Sequence, residues 1–380
     1  MSKHICVIAG EPSGDFLGGK LIAALKALEP DARFSGVGGH HMTAAGVESL
    51  FSYQQLAVMG IAEVLPKLPT LLARIRQTIN HIKETRPDVV VTIDSPDFSF
   101  RVLKAVRKME NPPKLIHYVA PTVWAWREGR AAKIAKFLDG LICLFDFEPP
   151  YFEEVGLTSV AVGHPLVEGE ALKADGNVFR EEYGIINEPI VGVLFGSRRG
   201  ELKNTAPILR DAAFSLCQKM GGGAHIVAPT LPHLYGEVMD LLRDYPGAIH
   251  ITTEPEQKWN AFKSMDIALA VSGTVGLELA ALQVPHVIAY KTNPVTAAIV
   301  RRLIKVRHVH LANIMAGREI VPEFIQGNAK AELISDRAFD LVLNPRQQIA
   351  EMGDIAARLG AGQEQTPSKR AADFVLSFLK

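Results

Sequence analysis

The chain opens twice in the same way. His4-Ile-Cys-Val-Ile-Ala-Gly10 runs straight into Glu11-Pro-Ser-Gly-Asp15, and Ile190-Val-Gly-Val-Leu-Phe-Gly196 runs straight into Ser197-Arg-Arg-Gly-Glu201. Each is a short apolar run closed by glycine, followed by a polar turn and a helical pattern. An unbroken apolar run suits a strand buried on both faces of a parallel sheet. The glycine loop after it offers backbone N–H groups and the positive end of a helix dipole, which favour an anion. Two such openings, one near the start of each half, predict two α/β domains facing a cleft that can hold a nucleotide diphosphate.

Length agrees, since 380 residues exceed what one core normally serves. With 41 basic and 41 acidic residues, no global field favours nucleic acid, and none is expected as a partner. The three cysteines, Cys6, Cys143 and Cys217, stand far apart. They form neither a disulfide framework nor a zinc motif, and fit a reducing, cytoplasmic compartment. The few apolar residues before Glu11 are too short for a signal peptide. No window reaches the roughly 18 apolar residues of a spanning helix. The nearest, Ile267–Tyr290, is broken by Ser272, Gly273, Thr274, Glu278 and Pro285.

The first half alternates strands at 4–9, 88–93, 115–119 and 140–145 with helices near 14–29, 69–86, 98–109 and 128–137. The second half places strands at 190–195, 224–228, 248–251, 266–271 and 285–290, and the last 45 residues read as two helices. Strand–helix alternation predicts a doubly wound, mostly parallel sheet, here twice. The expected domains are 1–167 and 168–344, with helices over 345–380 packing back across them and 166–189 as the linker.

Ligands of such sheets bind beyond the carboxyl ends of the strands, so the residues just after each strand are the candidates. Gly14–Lys20 fits a phosphate-loop spacing, but Leu21 stands where that motif needs Ser or Thr, and the lysine falls inside a helix. Ser13 can cap that helix and Asp15 complement its dipole. Glu11, at the strand end, is free of that explanation and can meet sugar hydroxyls. Asp94 ends Val89-Val-Val-Thr-Ile93 and can act as general base toward a hydroxyl, while Asp97 belongs to the turn. After Gly196-Ser197, a turn has no need of Arg198, whose planar fork suits a diphosphate. Ser272 and Thr274 can cap a helix, Gly273 permits close approach, and Glu278 can accept from a ribose diol. His308 and His310 have strand spacing among Arg301, Arg302, Lys305 and Arg307, which excludes a metal there. Trp124 and Trp126 read as packing.

Two segments suit a lipid surface. One is Leu56–Ile75, apolar at Val58, Met59, Ile61, Val64, Leu65, Leu68 and Leu72 and flanked by Lys67, Arg74 and Arg76. The other is Ile299-Val-Arg-Arg-Leu-Ile-Lys-Val306. Apolar faces with basic neighbours rest on anionic bilayers, although a core-facing helix has the same pattern.

Several motifs together resemble the lipid-A-disaccharide synthase family of inverting GT-B glycosyltransferases. They are Gly10-Glu-Pro-Ser-Gly-Asp15, Leu56-Ala-Val-Met-Gly-Ile61, Ile93-Asp-Ser-Pro-Asp-Phe98, His117-Tyr-Val-Ala-Pro-Thr-Val-Trp-Ala-Trp126 and Gly163-His164. Gly196-Ser-Arg198, Ser272-Gly-Thr274 with Glu278, and Asn313 with Pro322-Glu323 and Gln326 complete the set. The resemblance implies transfer from UDP-2,3-diacylglucosamine to 2,3-diacylglucosamine 1-phosphate (lipid X), without metal or cofactor. It implies Asp94 as the essential carboxylate, with Glu11 the second catalytic candidate. Arg198, with Gly196 and Ser197, falls to the diphosphate. Ser13, Ser272, Gly273, Thr274, Glu278, Asn313, Glu323 and Gln326 fall to the substrates. It also implies peripheral attachment to the inner membrane and a homodimer, often domain-swapped through the C-terminal helices. Phe195 departs from the family's proline and Arg199 adds a charge, which implies a looser loop. The rivals are another GT-B enzyme of UDP-N-acetylglucosamine, a transferase or 2-epimerase, and a silent lipid-binding protein.

Overall fold

A computed structural model of the chain describes residues 2–56, 61–124, 129–293 and 306–379, with the side chains of 61–67 outside the description. The chain divides into two compact units, Met1–Pro165 with Gly362–Lys380, and Leu166–Ala361.

The first unit carries β1 (His4–Ala9), β2 (Arg33–Val37), β3 (Val89–Ile93), β4 (Lys114–Tyr118), β5 (Gly140–Cys143) and β6 (Ser159–Ala161). They form one parallel sheet in the order β2-β1-β3-β4-β5-β6. β1 and β3 are buried along their whole length, as an unbroken apolar run requires. The chain leaves β1 to one side, toward β2, and crosses back to place β3 on the other. β1 and β3 therefore flank the switch point, where a crevice opens. Ala9 is level with Ile93, and Ile93 with Tyr118. Glu11, Asp94 and Val119 consequently emerge along one edge of the sheet.

The second unit repeats the scheme with β7 (Ile190–Leu194), β8 (His225–Val227), β9 (Ile249–His250), β10 (Ile267–Val271), β11 (His286–Tyr290) and β12 (Glu323–Ile325). All are parallel, in the order β12-β11-β10-β7-β8-β9. Its switch point lies between β7 and β10, where Gly196–Arg198 and Ser272–Thr274 follow the strands. Each sheet is closed by its own apolar cluster, one around Ile8, Val90, Phe98 and Leu141, the other around Val191, Leu209, Leu269 and Ala338. Each buried aliphatic side chain contributes about 1.5–3 kcal/mol relative to exposure.

Several elements differ from expectation. β2, β6 and β12 are short, polar-edged strands with no apolar run to announce them. Residues 166–189 are built into the second unit rather than linking two. They hold helix Gly176–Glu182, capped by Asp175 and anchored by buried Phe179, and Arg180 pairs with Asp266 at 2.9 Å. His310 caps helix Leu311–Ala316 and is not in a strand. The stretch 345–380 does not act as one piece. Helix Arg346–Arg358 stays with the second unit, where Gln348 bonds both the N–H and the C=O of His286. Helix Pro367–Ser377 returns to the first unit and packs on helix Pro12–Leu28. Phe374 and Phe378 cover Gly140, where a Cβ would lie 3.0 and 2.8 Å from them.

Candidate functional site

In the first unit, β1 and β3 bring two carboxylates to the switch point. Asp94 is half-buried and sits in the left-handed region with φ 52°, as does Ser95 with φ 44°. Two such non-glycine residues in succession cost about 1–2 kcal/mol each, and persist only where their surroundings hold them. The hold is visible. The Asp94 N–H donates to the Tyr118 carbonyl at 3.0 Å, and Ser99 Oγ donates to the Asp94 carbonyl at 2.8 Å. The carboxylate accepts from the Ser95 N–H at 2.8 Å through Oδ1 and from Ser13 Oγ at 3.2 Å through Oδ2. Ser95 Oγ donates onward to Glu11 Oε1 at 3.0 Å. Glu11, Ser13, Asp94 and Ser95 thus form one connected group, at an edge where a substrate hydroxyl can reach. Ser95 lies inside the Ile93–Phe98 motif, but no role for it can be read from the sequence, because that role depends on a backbone angle.

The cap expected of Ser13 is absent, and Asp15, in the first turn as expected, has a further role. Helix Pro12–Leu28 begins at Glu11 without a side-chain cap, so Ser13 turns to Asp94 instead. Asp15 is buried and serves the next helix, His40–Ala44. It accepts from the N–H groups of Gly39 at 2.6 Å, His41 at 3.0 Å and Met42 at 3.1 Å. Gly14 and Lys20 both lie inside helix Pro12–Leu28, which excludes a phosphate loop. Asp97 sits exposed in the first turn of helix Pro96–Val106.

The loop after β4 is tied down by a group the sequence did not single out. Buried Glu148 accepts from the Trp124 indole N–H at 3.2 Å and from the N–H groups of Leu144 and Phe145, both at 3.1 Å. Burial pushes its carboxyl up to about 7, against the pull of those hydrogen bonds. The Trp124 ring stands edge-on to Phe147, so packing explains it. Trp126 lies outside the described residues.

In the second unit, Gly196 takes φ 95°, which leaves the loop after β7 open to Glu201. Glu201 Oε2 accepts from the N–H groups of Ser197 at 3.0 Å and Arg198 at 3.2 Å. The amides expected to be free are therefore held by a carboxylate of the following turn. Arg198 stays 66% exposed, 3.6 Å from Glu201, which is itself only 12% exposed. The loop is closed by its own acid, and Phe195 is buried beneath it. Across the switch point, Ser272 and Thr274 do not cap helix Thr274–Ala281, whose N-cap is Gly273 in extended backbone. Glu278, one turn on, accepts from Lys258 Nζ at 2.7 Å.

Asn313 and Glu323 build a turn. Asn313 is fully buried. Its Oδ1 accepts from the N–H groups of Ile320 and Val321, both at 2.8 Å. Its Nδ2 donates to the Val321 carbonyl and to Glu323 Oε1, both at 2.7 Å, so its amide is fully used. Glu323 also accepts from the His310 N–H at 2.9 Å. Gln326, at the carboxyl end of β12 with φ 54°, accepts from the Thr292 N–H at 3.5 Å. Beneath lie His286 and His310, their Nε2 atoms 3.1 Å apart, both kept neutral by burial.

Of the apolar series, Val58 and Met59 lie outside the described residues. Ile61, Val64 and Leu65 fall in helix Ile61–Thr85, with their side chains outside the description. Leu68 and Leu72 are exposed on that helix. Most of 299–306 also lies outside. Among the described residues, no helix is long and apolar enough to cross a membrane, and no group of three or more His, Cys, Asp or Glu could hold a metal ion.

Two doubly wound units, each gathering polar side chains at its switch point, define the fold class as GT-B. Solved structures show the same fold. A UDP co-structure of S. aureus MnaA aligns with TM-score 0.67 at 12% identity, over 100% of this chain and 97% of its own. A putative UDP-N-acetylglucosamine 2-epimerase from Listeria monocytogenes aligns at 0.66 and 14%, over 100% and 96%. The family model for lipid-A-disaccharide synthetase (LpxB) matches residues 5–377. Lipid-A-disaccharide synthases of Rhodospirillum centenum and Ruegeria pomeroyi are 46% and 42% identical, each over 99% of this chain and 94% and 95% of theirs. The chain belongs to the lipid-A-disaccharide synthetase family.

Proposed function

We propose that the chain transfers 2,3-diacylglucosamine from UDP to the 6-hydroxyl of 2,3-diacylglucosamine 1-phosphate, giving the β-1′,6-linked disaccharide 1-phosphate and UDP. The first unit takes the acceptor and the second the donor. Asp94 removes the proton of the acceptor hydroxyl. The oxygen attacks the donor anomeric carbon from the face opposite UDP, the bond to the diphosphate breaks, and the configuration inverts. Glu11, held to the same group through Ser95, orients sugar hydroxyls. Arg198 meets the diphosphate and stabilises the charge that builds on leaving, an interaction realised most fully in the transition state. Glu278 takes the ribose diol, and Asn313 and Glu323 shape the turn that carries Gln326. Exposed Leu68 and Leu72 continue the apolar series proposed to meet acyl chains at the inner-membrane surface. A homodimer remains part of this reading.

The observation that carries it is the Asp94 carboxylate, held by two hydrogen bonds at the switch point of a chain that belongs to this family. The test gives purified protein both substrates in detergent and identifies products by mass spectrometry. Disaccharide 1-phosphate and UDP are expected. Asp94→Asn should still bind UDP-sugar but lose turnover by at least about a hundredfold. Wild-type turnover in that variant would overturn the base assignment. Consumption of UDP-N-acetylglucosamine in place of the diacyl donor would favour the rival reading, another GT-B transferase or 2-epimerase.

A further inference from the structure

Helix Pro255–Ser264 follows β9, and helix Thr274–Ala281 follows β10, so both begin at the carboxyl edge of the second sheet. Lys258, in the first turns of one, donates to Glu278 on the other at 2.7 Å, with the two side chains 35% and 21% exposed. The ammonium also lies 4.6 Å from the Trp259 ring centre and 5.4 Å from that of Phe262. Lys263 fastens the same helices a second time, donating to the Leu282 carbonyl at 2.9 Å. A solvent-exposed ion pair leaves both side chains free to swing. Here the lysine also rests on two aromatic faces, whose attraction adds to the ion pair in restraining it. Among the described residues, the Glu278 carboxylate bonds to Lys258 alone, and through Oε1 alone.

We infer that Lys258 is a positioning residue that fixes Glu278 with one oxygen engaged and the other presented to the hydroxyls of a nucleotide ribose. The inference rests on the reading of Glu278 given above. On this inference Lys258 acts through Glu278 and not on the nucleotide itself. It sets the rotamer of that acid, and so governs how well the site tells a ribonucleotide from a 2′-deoxyribonucleotide. A lysine that only staples two helices would leave that distinction untouched.

The test is calorimetric titration of the full chain with UDP and with 2′-deoxy-UDP. The wild type should prefer UDP about tenfold or more, the size expected of a hydroxyl bonded to a charged acceptor. Glu278→Gln should abolish the preference. Lys258→Met should cut it at least about threefold, and Lys258→Arg should restore most of it, since a guanidinium keeps the charge and stacks on the same rings. Should the methionine variant fail to fold, Lys258→Gln gives the same reading. Equal weakening of both nucleotides in the Lys258 variants would make the lysine a mere staple and overturn the inference. Loss of preference in Glu278→Gln with full preference in Lys258→Met would overturn it while leaving Glu278 in place. An unchanged preference in Glu278→Gln would remove the ribose role of Glu278, and the inference with it.

Discussion

At the scale of single residues, the first-unit site depends on how close two backbones approach. A Cβ on Gly10 would lie 2.6 Å from Ser95 Oγ and 2.9 Å from Ser95 Cβ. Ser95 cannot yield cheaply, because it is already in the left-handed region and bonded to Glu11. Gly10→Ala should therefore displace the serine and, through it, both carboxylates. Expected are a destabilisation of about 1–3 kcal/mol, typical of overpacking, and a turnover loss beyond tenfold. Thermal unfolding and the product assay measure the two, and wild-type turnover would show that the Ser95 link does not matter. The place of Asp94 at the carboxyl end of β3 was legible in the sequence, because it closes a mostly apolar run. The role of Ser95 was not, since its backbone angle decides it. Asn313 was misleading in the opposite sense: the motif marked it, and the structure spends its whole amide on the turn.

Elements explain why local readings of caps failed. Asp15 stands in the first turn of its own helix, as a dipole partner would, but its oxygens accept from amides more than 20 residues away in sequence, at Gly39, His41 and Met42. No window over residues 11–20 holds that information. Asp15→Ala would leave three N–H groups without their acceptor. The expected cost is about 2–4 kcal/mol, with Asp15→Asn costing less because one oxygen remains. Urea unfolding measures it, and a midpoint within error of wild type for the alanine variant would refute the role. The strands show the same limit. β1, β3, β7 and β10 are buried throughout and mostly apolar, with His4 and Thr92 the polar exceptions, and their residues announce them because both of their faces are covered. β2, β6 and β12 lie toward the sheet edges, where polar residues are tolerated and the pattern fades.

On the scale of the whole molecule, buried histidines set the acid limit. Burial holds His117 down to about 3 and His164 and His286 to about 4, and His310 well below its usual value. Each takes a proton in the unfolded chain near pH 6.5 but not in the folded one, so stability falls as pH drops from about 6.5 toward 4. Glu148, raised to about 7, acts in the opposite sense, favouring the fold below about 4.5 and losing that contribution as pH rises through 7. Four histidines outweigh one carboxyl. The melting temperature should be clearly lower at pH 5 than at pH 7, and an equal or higher value at pH 5 would contradict this account.

The return of helix Pro367–Ser377 to helix Pro12–Leu28 gives the first unit a seam made from both ends of the chain. Its N-terminal part leaves the ribosome early, but Gly140 gets its aromatic cover only when Phe374 and Phe378 arrive. By then every residue of the second unit, Leu166–Ala361, has already been made. Domains that fold in order of synthesis normally finish in that order. Here the half begun first is completed only after the second unit has been made, and Gly140 in β5 waits that long for its aromatic cover.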